Sequence, residues 1–317
     1  MSAGTQTSGR SPAGDRRQRR IGIFMATSCA VLWGFLAIAM KIAVAEVDAF
    51  TIVWFRFAFA FGSLALVMGI RRPESLAILV RPPLLAWVAA LALTGNYVGF
   101  LTGLSMTSPS FSQVLIQIAP LMLAMVGVAY FGERLSRFQL GGALLALGGF
   151  VLFYYDQYKV GVVEHETMAR GVQILAAAAV AWTLYAALQK VIVARGTSPQ
   201  RLNLVLYCVP ALLLLPLAKF GALASLTPGM WALMLFLGAN TLLAYGALGE
   251  ALSRLPAFQV SLILTCNPLI TLAAIACGRW LGLEWVPEDE VSVVGYGAAL
   301  LVVLGIAGVL KRPATRS

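Results

Sequence analysis

The sequence predicts an all-α membrane protein with ten transmembrane helices in two inverted repeats of five and with both termini in the cytoplasm. The composition, the spacing of the apolar segments and an internal repeat together predict this class. Apolar residues make up 60% of the 317-residue chain, charged residues make up 11%, and the mean hydropathy is +0.86. Soluble domains carry about 25% charged residues. Lipid is therefore the solvent for most of this chain.

The apolar segments are bounded by charged residues, proline or glycine, and short connections join them. A helix that crosses a bilayer needs about 20 apolar residues. Short connections also leave no room for a closed barrel of strands. The predicted spans are 21–44, 50–69, 84–104, 109–131, 139–155, 171–192, 202–220, 230–251, 256–278 and 291–310.

These spans divide the chain into two halves with short flanking segments. The predicted organisation is a disordered basic tail at 1–20, a first five-helix repeat at 21–155, an extracytoplasmic linker at 156–170, a second five-helix repeat at 171–310 and a cytoplasmic tail at 311–317. The first apolar run is too long for the core of a signal peptide. We therefore expect it to remain as the first helix.

The basic residues are distributed unevenly between the two sides of the predicted bundle. With the N-terminus in the cytoplasm, sixteen of the 23 Lys and Arg fall in inner segments and four in outer segments. The positive-inside rule then predicts that both termini are cytoplasmic. We expect the membrane to be a bacterial inner membrane, which the chain crosses several times. The net charge of +10 does not indicate nucleic-acid binding, because the basic residues are not interleaved with aromatics on one face.

An internal repeat relates the two halves. The segment 30–42 aligns without gaps with 179–191, which pairs Trp33 with Trp182 and Lys41 with Lys190. Further matches, in chain order, pair Asn96 with Asn240, Gln113 with Ser261, Gln117 with Thr265 and Pro120 with Pro268. Since five is an odd number, the second copy should cross the membrane in the opposite sense. Inverted repeats of this kind are typical of secondary transporters.

Two prolines, Pro120 and Pro268, lie inside the predicted fourth and ninth spans. A proline inside a helix removes a backbone hydrogen bond and frees the carbonyl four residues earlier, here those of Ile116 and Leu264. Kinked spans at matching positions in two halves indicate a substrate site. Each proline shares a helical face with two polar residues, which either line a cavity or join helices by hydrogen bonds.

The two repeat-related tryptophans should lie near the middle of the membrane, counting about 1.5 Å per residue along a helix. Tryptophan is usually an interfacial residue. These rings either fill the core or line a cavity, where Tyr185 would share a face with Trp182; Tyr245 is a weaker candidate. The predicted substrate-binding residues are Trp33, Asn96, Tyr97, Gln113, Gln117, Trp182, Tyr185, Asn240, Ser261 and Thr265.

Three basic residues lie within the predicted spans. Lys41 and Lys190 should sit near opposite surfaces, where each either extends to the headgroups or attracts a substrate carboxylate and acts in gating. Arg56 should lie deeper and needs a partner, and Glu46 and Asp48 are the nearest acids. Glycines crowd two spans and indicate close helix packing; they are Gly95, Gly99, Gly103, Gly141, Gly142, Gly148 and Gly149.

Several of these motifs resemble those of the EamA-type ten-helix members of the drug/metabolite transporter superfamily. The resemblance spans 21–310, and its motifs are Trp33-Gly34 before Lys41, Phe55-Arg56-Phe57, Pro120 followed by Gly132-Glu133-Arg134-Leu135-Ser136, and Pro268 with Glu284. The chain departs from the pattern in a longer spacing from Pro268 to Glu284 and in Val205, which stands where the second half would match Arg56. The chain looks most like YddG-type bacterial exporters of aromatic amino acids. That resemblance implies amino-acid export by alternating access.

Other function classes lack their usual residues. The sequence has one histidine, His165, no P-loop pattern, and four cysteines inside apolar segments without metal-ligand spacing. We therefore expect no catalytic residues, metal or cofactor, and a small-molecule substrate and membrane lipid as the partners, without nucleic acid or an obligate protein partner. The alternatives are a carrier for another small metabolite or drug and, less strongly, an ion channel or a membrane enzyme. The spans carry no mid-membrane carboxylate, which favours facilitated diffusion or exchange.

Overall fold

The computed structural model describes residues 12–131, 136–161, 163–255, 260 and 263–310, and every regular element in these residues is a helix. The helices are α1 (Pro12–Glu46), α2 (Ala49–Arg71), α3 (Leu84–Ser105), α4 (Pro109–Leu115), α5 (Ile118–Phe131), α6 (Arg137–Val160), α7 (His165–Ala194), α8 (Pro199–Leu213), α9 (Phe220–Ala224), α10 (Pro228–Arg254), α11 (Asn267–Trp280) and α12 (Val293–Leu310). Short 3-10 turns cover Pro73–Leu79 and Leu215–Leu217. The prediction of an all-α protein is confirmed for this part of the chain.

Seven helices among the described residues are long and apolar enough to cross a membrane, namely α1, α2, α3, α6, α7, α8 with its 3-10 extension, and α10. The helix α12 is a shorter apolar helix. The predicted fourth span consists of α4 and α5, and the predicted ninth span contains α11. The protein is therefore a multi-pass membrane protein, and the total of ten spans and the cytoplasmic termini remain predictions.

The first helix begins earlier than the sequence predicts, at Pro12 instead of Ile21. The arginines and Gln18 before Ile21 have high helix propensity, so the helix continues beyond its apolar part. Gln18 also accepts a hydrogen bond from Arg254 Nε at 3.0 Å, which joins this extension to the end of α10. Residues 1–11 and 311–317, which hold the rest of the predicted tails, lie outside the described residues.

Helix packing follows the repeat. The first helix of each half packs along the third helix of the other half, which gives the pairs α1–α10 and α3–α7. The second helices α2 and α8 pack together, as do the last helices α6 and α12. One apolar core surrounds Phe57, Leu93 and Tyr207, and a second joins α4, α6 and α12 around Phe111 and Val302. Each half thus contacts the other through equivalent pairs of helices.

The α6–α12 contact is a glycine seam formed by Gly142, Gly149 and Gly305. A Cβ atom on Gly142 would lie 2.6 Å from the Gly305 carbonyl oxygen, and one on Gly149 would lie 2.8 Å from the Val302 backbone nitrogen. The backbones of the two helices are therefore in direct contact. A Cβ at Gly141 or Gly148 meets nothing within 4 Å. The predicted packing role is confirmed for the seam glycines of α6 and is wrong for Gly141 and Gly148.

The glycines of α3 lie against α7. A Cβ on Gly103 would lie 2.6 Å from Leu175 Cγ, and one on Gly99 would lie 3.1 Å from Ala178 Cβ. At Gly95 the nearest atom, Ala181 Cβ, is at an ordinary contact distance of 3.9 Å. Close packing therefore concentrates at the end of α3 that contains Gly103.

The inverted arrangement predicts that the two ends of α7 lie on opposite sides of the membrane. Gly161 and Gly196, just outside these ends, have positive φ angles, so a larger side chain there would be strained. Exposed Glu166 and Gln200, in the first turns of α7 and α8, are better labelling positions. With the native cysteines replaced, we expect an impermeant thiol reagent to label Gln200→Cys only from the cytoplasm and Glu166→Cys only from outside.

Detergent-solubilised protein supplies the control for this experiment, since both cysteines should then react to the same extent. Labelling of both positions from one side of intact membrane vesicles would contradict the inverted repeat. The cysteines to be replaced are Cys29, Cys208, Cys266 and Cys277.

Candidate functional site

A partly open cavity of about 170 Å³ lies between the two halves of the bundle. Its wall comes from α1, α2, α3, α4, α5, α7, α10 and α11, from the turn that precedes α5, and from Leu264 and Thr265 before α11. The described residues that line it are Trp33, Leu36, Met40, Arg56, Asn96, Tyr97, Phe100, Gln113, Ile116, Gln117, Ala119, Trp182, Tyr245, Leu264, Thr265 and Asn267. Both repeats therefore contribute to one site.

Two helix interruptions open onto this cavity. The helix α4 ends at Leu115 and α5 begins at Ile118, while α11 begins at Asn267 directly after a turn at 265–266. Pro120 and Pro268 consequently lie in the first turn of a new helix, where a proline sacrifices no helical hydrogen bond. The Ile116 carbonyl, which we expected to be free, accepts the Ala119 backbone N–H at 3.0 Å.

Aromatic side chains form one part of the cavity wall. Trp33 and Tyr245 meet edge to face with ring centroids 5.6 Å apart, and the centroids of Tyr97 and Tyr245 are 6.4 Å apart. Trp182 and Phe100 also line the cavity. The two repeat-related tryptophans therefore contribute to the wall of the same cavity from α1 and α7.

Amide side chains form the polar part of the wall, and two of them also hold helices together. Gln113 Nε2 donates to the Trp33 carbonyl at 2.7 Å, and Asn96 Nδ2 donates to the Ala178 carbonyl at 2.9 Å. Gln117 and Thr265 line the same cavity. Gln113 and Asn96 thus combine the two roles, lining and interhelical bonding, that the sequence left open.

Asn267, at the start of α11, was not predicted as a site residue. It lines the cavity, and its Oδ1 is buried without a hydrogen-bond partner among the described residues. Its position directly before Pro268, at a polar break in an apolar segment, is the sequence signal that identifies it.

Two of the predicted substrate-binding residues that the structure describes lie away from the cavity wall. Tyr185 is 2% exposed and packs in the core around α3 and α8. Asn240 is 1% exposed, and its Nδ2 donates to the Leu32 carbonyl at 2.8 Å. Asn240 thereby joins α10 to α1, as Asn96 joins α3 to α7, so it has the interhelical role alone. Ser261 lies outside the described residues.

The two predicted substrate-attracting lysines do not line the cavity. Lys41 Nζ donates to the carbonyls of Leu104 at 3.0 Å, Ser105 at 3.2 Å and Thr107. It therefore caps the carboxyl end of α3, where the last carbonyls have no helical partner. Lys190 is exposed. The structure thus gives Lys41 a helix-capping role, and the role of Lys41 and Lys190 in gating stays a prediction.

The start of α4 is anchored beside this cap. The backbone N–H of Ser110 donates to Asp289 Oδ2 at 2.7 Å, from the connection that leads into α12. Burial raises the pKa of the Asp289 carboxyl, while the bond from Ser110 favours its ionised form. The short helix α4, which carries Gln113 to the cavity, is therefore held at its N-terminal end by both halves.

Arg56, on α2, is a charged cavity residue that the site prediction also omitted. Its side chain is 2% exposed; Nε donates to Thr241 Oγ1 at 3.0 Å, and Nη1 lies 2.8 Å from Met40 Sδ. Neither of the two nearest acids, Glu46 and Asp48, forms an ion pair with Arg56 among the described residues, and Asp48 instead caps α2 through the backbone N–H and hydroxyl of Thr51. A charged residue inside an apolar span was the available signal for this site.

Comparison with known proteins agrees with the two-repeat architecture. The model of the EamA-like transporter family matches residues 20–155 and again residues 169–310. A crystal structure aligned with a TM-score of 0.64 covers 92% of this chain and 97% of its own chain at 21% identity. That similarity shows a shared fold.

The curated relatives are membrane transporters. The uncharacterized inner membrane transporter YhbE of Escherichia coli (strain K12) is 35% identical over 296 residues, which cover 92% of this chain and 91% of the relative. A probable amino-acid metabolite efflux pump of the same strain is 23% identical over 210 residues, covering 62% and 65% of the two chains. With its membrane-spanning helices, the protein is a multi-pass inner-membrane protein. It belongs to the EamA-like transporter family.

Proposed function

We propose that the protein carries aromatic and other neutral amino acids across the inner membrane by alternating access through the cavity. One observation carries this proposal: Trp33 and Trp182 line a cavity that also presents amide groups. An aromatic amino acid has an apolar ring, a carboxylate and an ammonium group. Stacking on an aromatic wall contributes about 0.5–1.5 kcal/mol beyond burial, and neutral amides bind the polar end.

Two further observations support this proposal. Interrupted helices at matching positions are where secondary transporters bind their substrates, and here both interruptions open onto the cavity. One relative carries the name of a probable amino-acid metabolite efflux pump. An aromatic cavity would also accept another small metabolite or a drug, so transport assays must separate these classes.

Counterflow in proteoliposomes tests the substrate class. We expect unlabelled Phe, Trp or Tyr, and some larger aliphatic amino acids, to exchange with a labelled aromatic amino acid. A pH gradient should leave the rate unchanged, as facilitated diffusion or exchange requires. If no amino acid competes, the substrate belongs to another class of metabolite.

The ring of Trp182 should set the preference for aromatic substrates. We expect Trp182→Ala to raise the half-saturation concentration for Phe and Trp several-fold, since each ~1.4 kcal/mol changes affinity tenfold. The values for Ala and Thr should change less. The matched control is Trp280→Ala, because Trp280 is 84% exposed and does not line the cavity. If Trp182→Ala raises the half-saturation concentration by the same factor for every substrate, Trp182 has a packing role.

A further inference from the structure

The cavity wall contains a buried guanidinium without a counter-ion among the residues that the structure describes. Arg56 is the only charged residue among those described that line the cavity. The ion pairs found in these residues, Arg170–Glu166, Arg254–Glu250 and Arg279–Glu290, do not include it. Buried charges are normally paired, because removing a charge from water is costly.

The Arg56 guanidinium retains unused donors. It has five N–H groups; Nε donates to Thr241 Oγ1, and one Nη1 hydrogen faces Met40 Sδ. The other three have no acceptor among the described residues. A thioether is a weak acceptor, so an incoming oxyanion would readily replace Met40.

Contacts from three helices hold the guanidinium in place. The Arg56 Cζ lies 4.8 Å from the centroid of the Tyr97 ring on α3. Thr241 on α10, which receives the Arg56 bond, itself donates to the Leu237 carbonyl at 3.1 Å. Met40 contributes the third contact, from α1. An arginine fixed in this way presents its planar fork to a carboxylate with little further loss of entropy.

The second half of the chain supplies no matching charge. The residue equivalent to Arg56 is Val205, which is buried, and neither Lys41 nor Lys190 lines the cavity. The described wall therefore carries one fixed cation. A wall of this kind matches a solute with one anionic group at its polar end.

We infer that the cavity selects solutes that carry a carboxylate, and that Arg56 binds this carboxylate. This inference rests on the proposed function and deepens it, because it assigns the recognition of the amino-acid carboxylate to a residue outside the repeat-related pairs. The ammonium group of an amino acid would then face the neutral amides and the aromatic rings. Amides and amines of the same shape, which lack the anion, should bind weakly.

Four competitors with a common phenyl ring test this inference in proteoliposomes. Phenylalanine and 3-phenylpropionate carry the carboxylate, whereas phenylalanine amide and 2-phenylethylamine do not. We expect the two carboxylates to inhibit uptake of a labelled substrate at concentrations at least tenfold lower than the other two compounds. Equal inhibition by phenylalanine and its amide in the unmodified protein would overturn the inference.

Substitutions assign the selectivity to Arg56. We expect Arg56→Gln to weaken binding of the carboxylates about tenfold to a hundredfold, as loss of charge-assisted hydrogen bonds does, and to leave the amide unchanged. Arg56→Lys should keep part of the preference for carboxylates, because the lysine ammonium keeps the positive charge but lacks the planar pair of N–H donors of a guanidinium. The control Arg195→Gln removes an exposed arginine at the end of α7 and should keep the full preference.

Uptake and inhibition are to be normalised to the amount of protein that elutes as a monodisperse peak on size exclusion. Titration of the purified protein, followed by tryptophan fluorescence, gives the binding affinities independently of transport. Arg56→Lys and the competitor series decide the question if Arg56→Gln does not fold. Unchanged carboxylate preference in a folded Arg56→Gln protein would overturn the inference. Competition by 3-phenylpropionate but by no amino acid would sustain the inference and reject the proposed function.

Discussion

Replacing Lys41 with methionine is expected to reduce the thermal stability of the purified protein strongly. The Lys41 ammonium donates to three backbone carbonyls at the α3–α4 connection, and methionine keeps the apolar stem without the donor. Hydrogen bonds from charged groups contribute about 1.5–3 kcal/mol, and several are lost together. We expect a loss of about 3 kcal/mol, which appears as a lower unfolding midpoint in detergent.

The repeat supplies a matched control for this substitution. Lys190 occupies the equivalent position of the second half but is exposed, so Lys190→Met should lower the midpoint only slightly. If both substitutions lower the midpoint equally, the capping contacts of Lys41 do not account for its effect. Transport per folded molecule should also fall in Lys41→Met, because the cap holds the start of α4, which carries Gln113.

A leucine at Gly142 should prevent the correct packing of α6 against α12. Even a Cβ atom there would lie 2.6 Å from the Gly305 carbonyl oxygen, and backbone atoms cannot move aside as a flexible side chain can. Overpacking by a few methylenes costs about 1–3 kcal/mol, and a leucine adds more volume than this contact accommodates. We expect most of the variant to elute as aggregate on size exclusion.

The neighbouring glycine is a stringent control, since Gly141→Leu differs by one position along the same helix. Its Cβ meets nothing within 4 Å, and a helix former in place of glycine stabilises a helix by up to about 1 kcal/mol. Gly141→Leu should therefore yield monodisperse protein. The pair Gly149→Leu and Gly148→Leu should repeat the contrast. If the two variants of each pair yield the same fraction of monodisperse protein, the close approach of α6 and α12 is contradicted.

The sequence predicts the helical class and the repeat well, because lipid allows few solutions for a backbone. Apolar runs of sufficient length must form helices in a membrane. The alignment of 30–42 with 179–191 identified the two halves that the family model also separates. The positions of Trp33, Trp182, Gln113 and Thr265 at one cavity follow from the same alignment together with the prolines.

The remaining site features depend on the rotation of each helix against its neighbours, which hydropathy does not report. Trp182 lines the cavity, whereas Tyr185, three residues later, packs into the core. Asn96 and Asn240 match in the repeat and were predicted at a similar depth in the membrane, which suggested similar roles, but only Asn96 lines the cavity. Lys41 likewise meets the carbonyls of the α3–α4 connection, a contact that depends on how α1 lies against that connection.

The distinction between a bent helix and two separate helices also lies beyond the sequence pattern. Pro120 and Pro268 predict irregular backbone in their spans, yet either geometry is compatible with a proline. The structure has new helices that begin just before each proline. Contacts such as that between Ser110 and Asp289, which joins residues far apart in the chain, anchor the separated segment α4.

The glycine seam has a mechanical consequence. Backbone atoms in direct contact have no rotamers through which two helices could adjust, so α6 and α12 should move as a single rigid rod. Each is the last helix of its half, and the rod therefore couples the two halves along one edge of the bundle. If the cavity opens to alternate sides, the halves must pivot about this edge, and the largest displacements will occur at the edge farthest from α6 and α12.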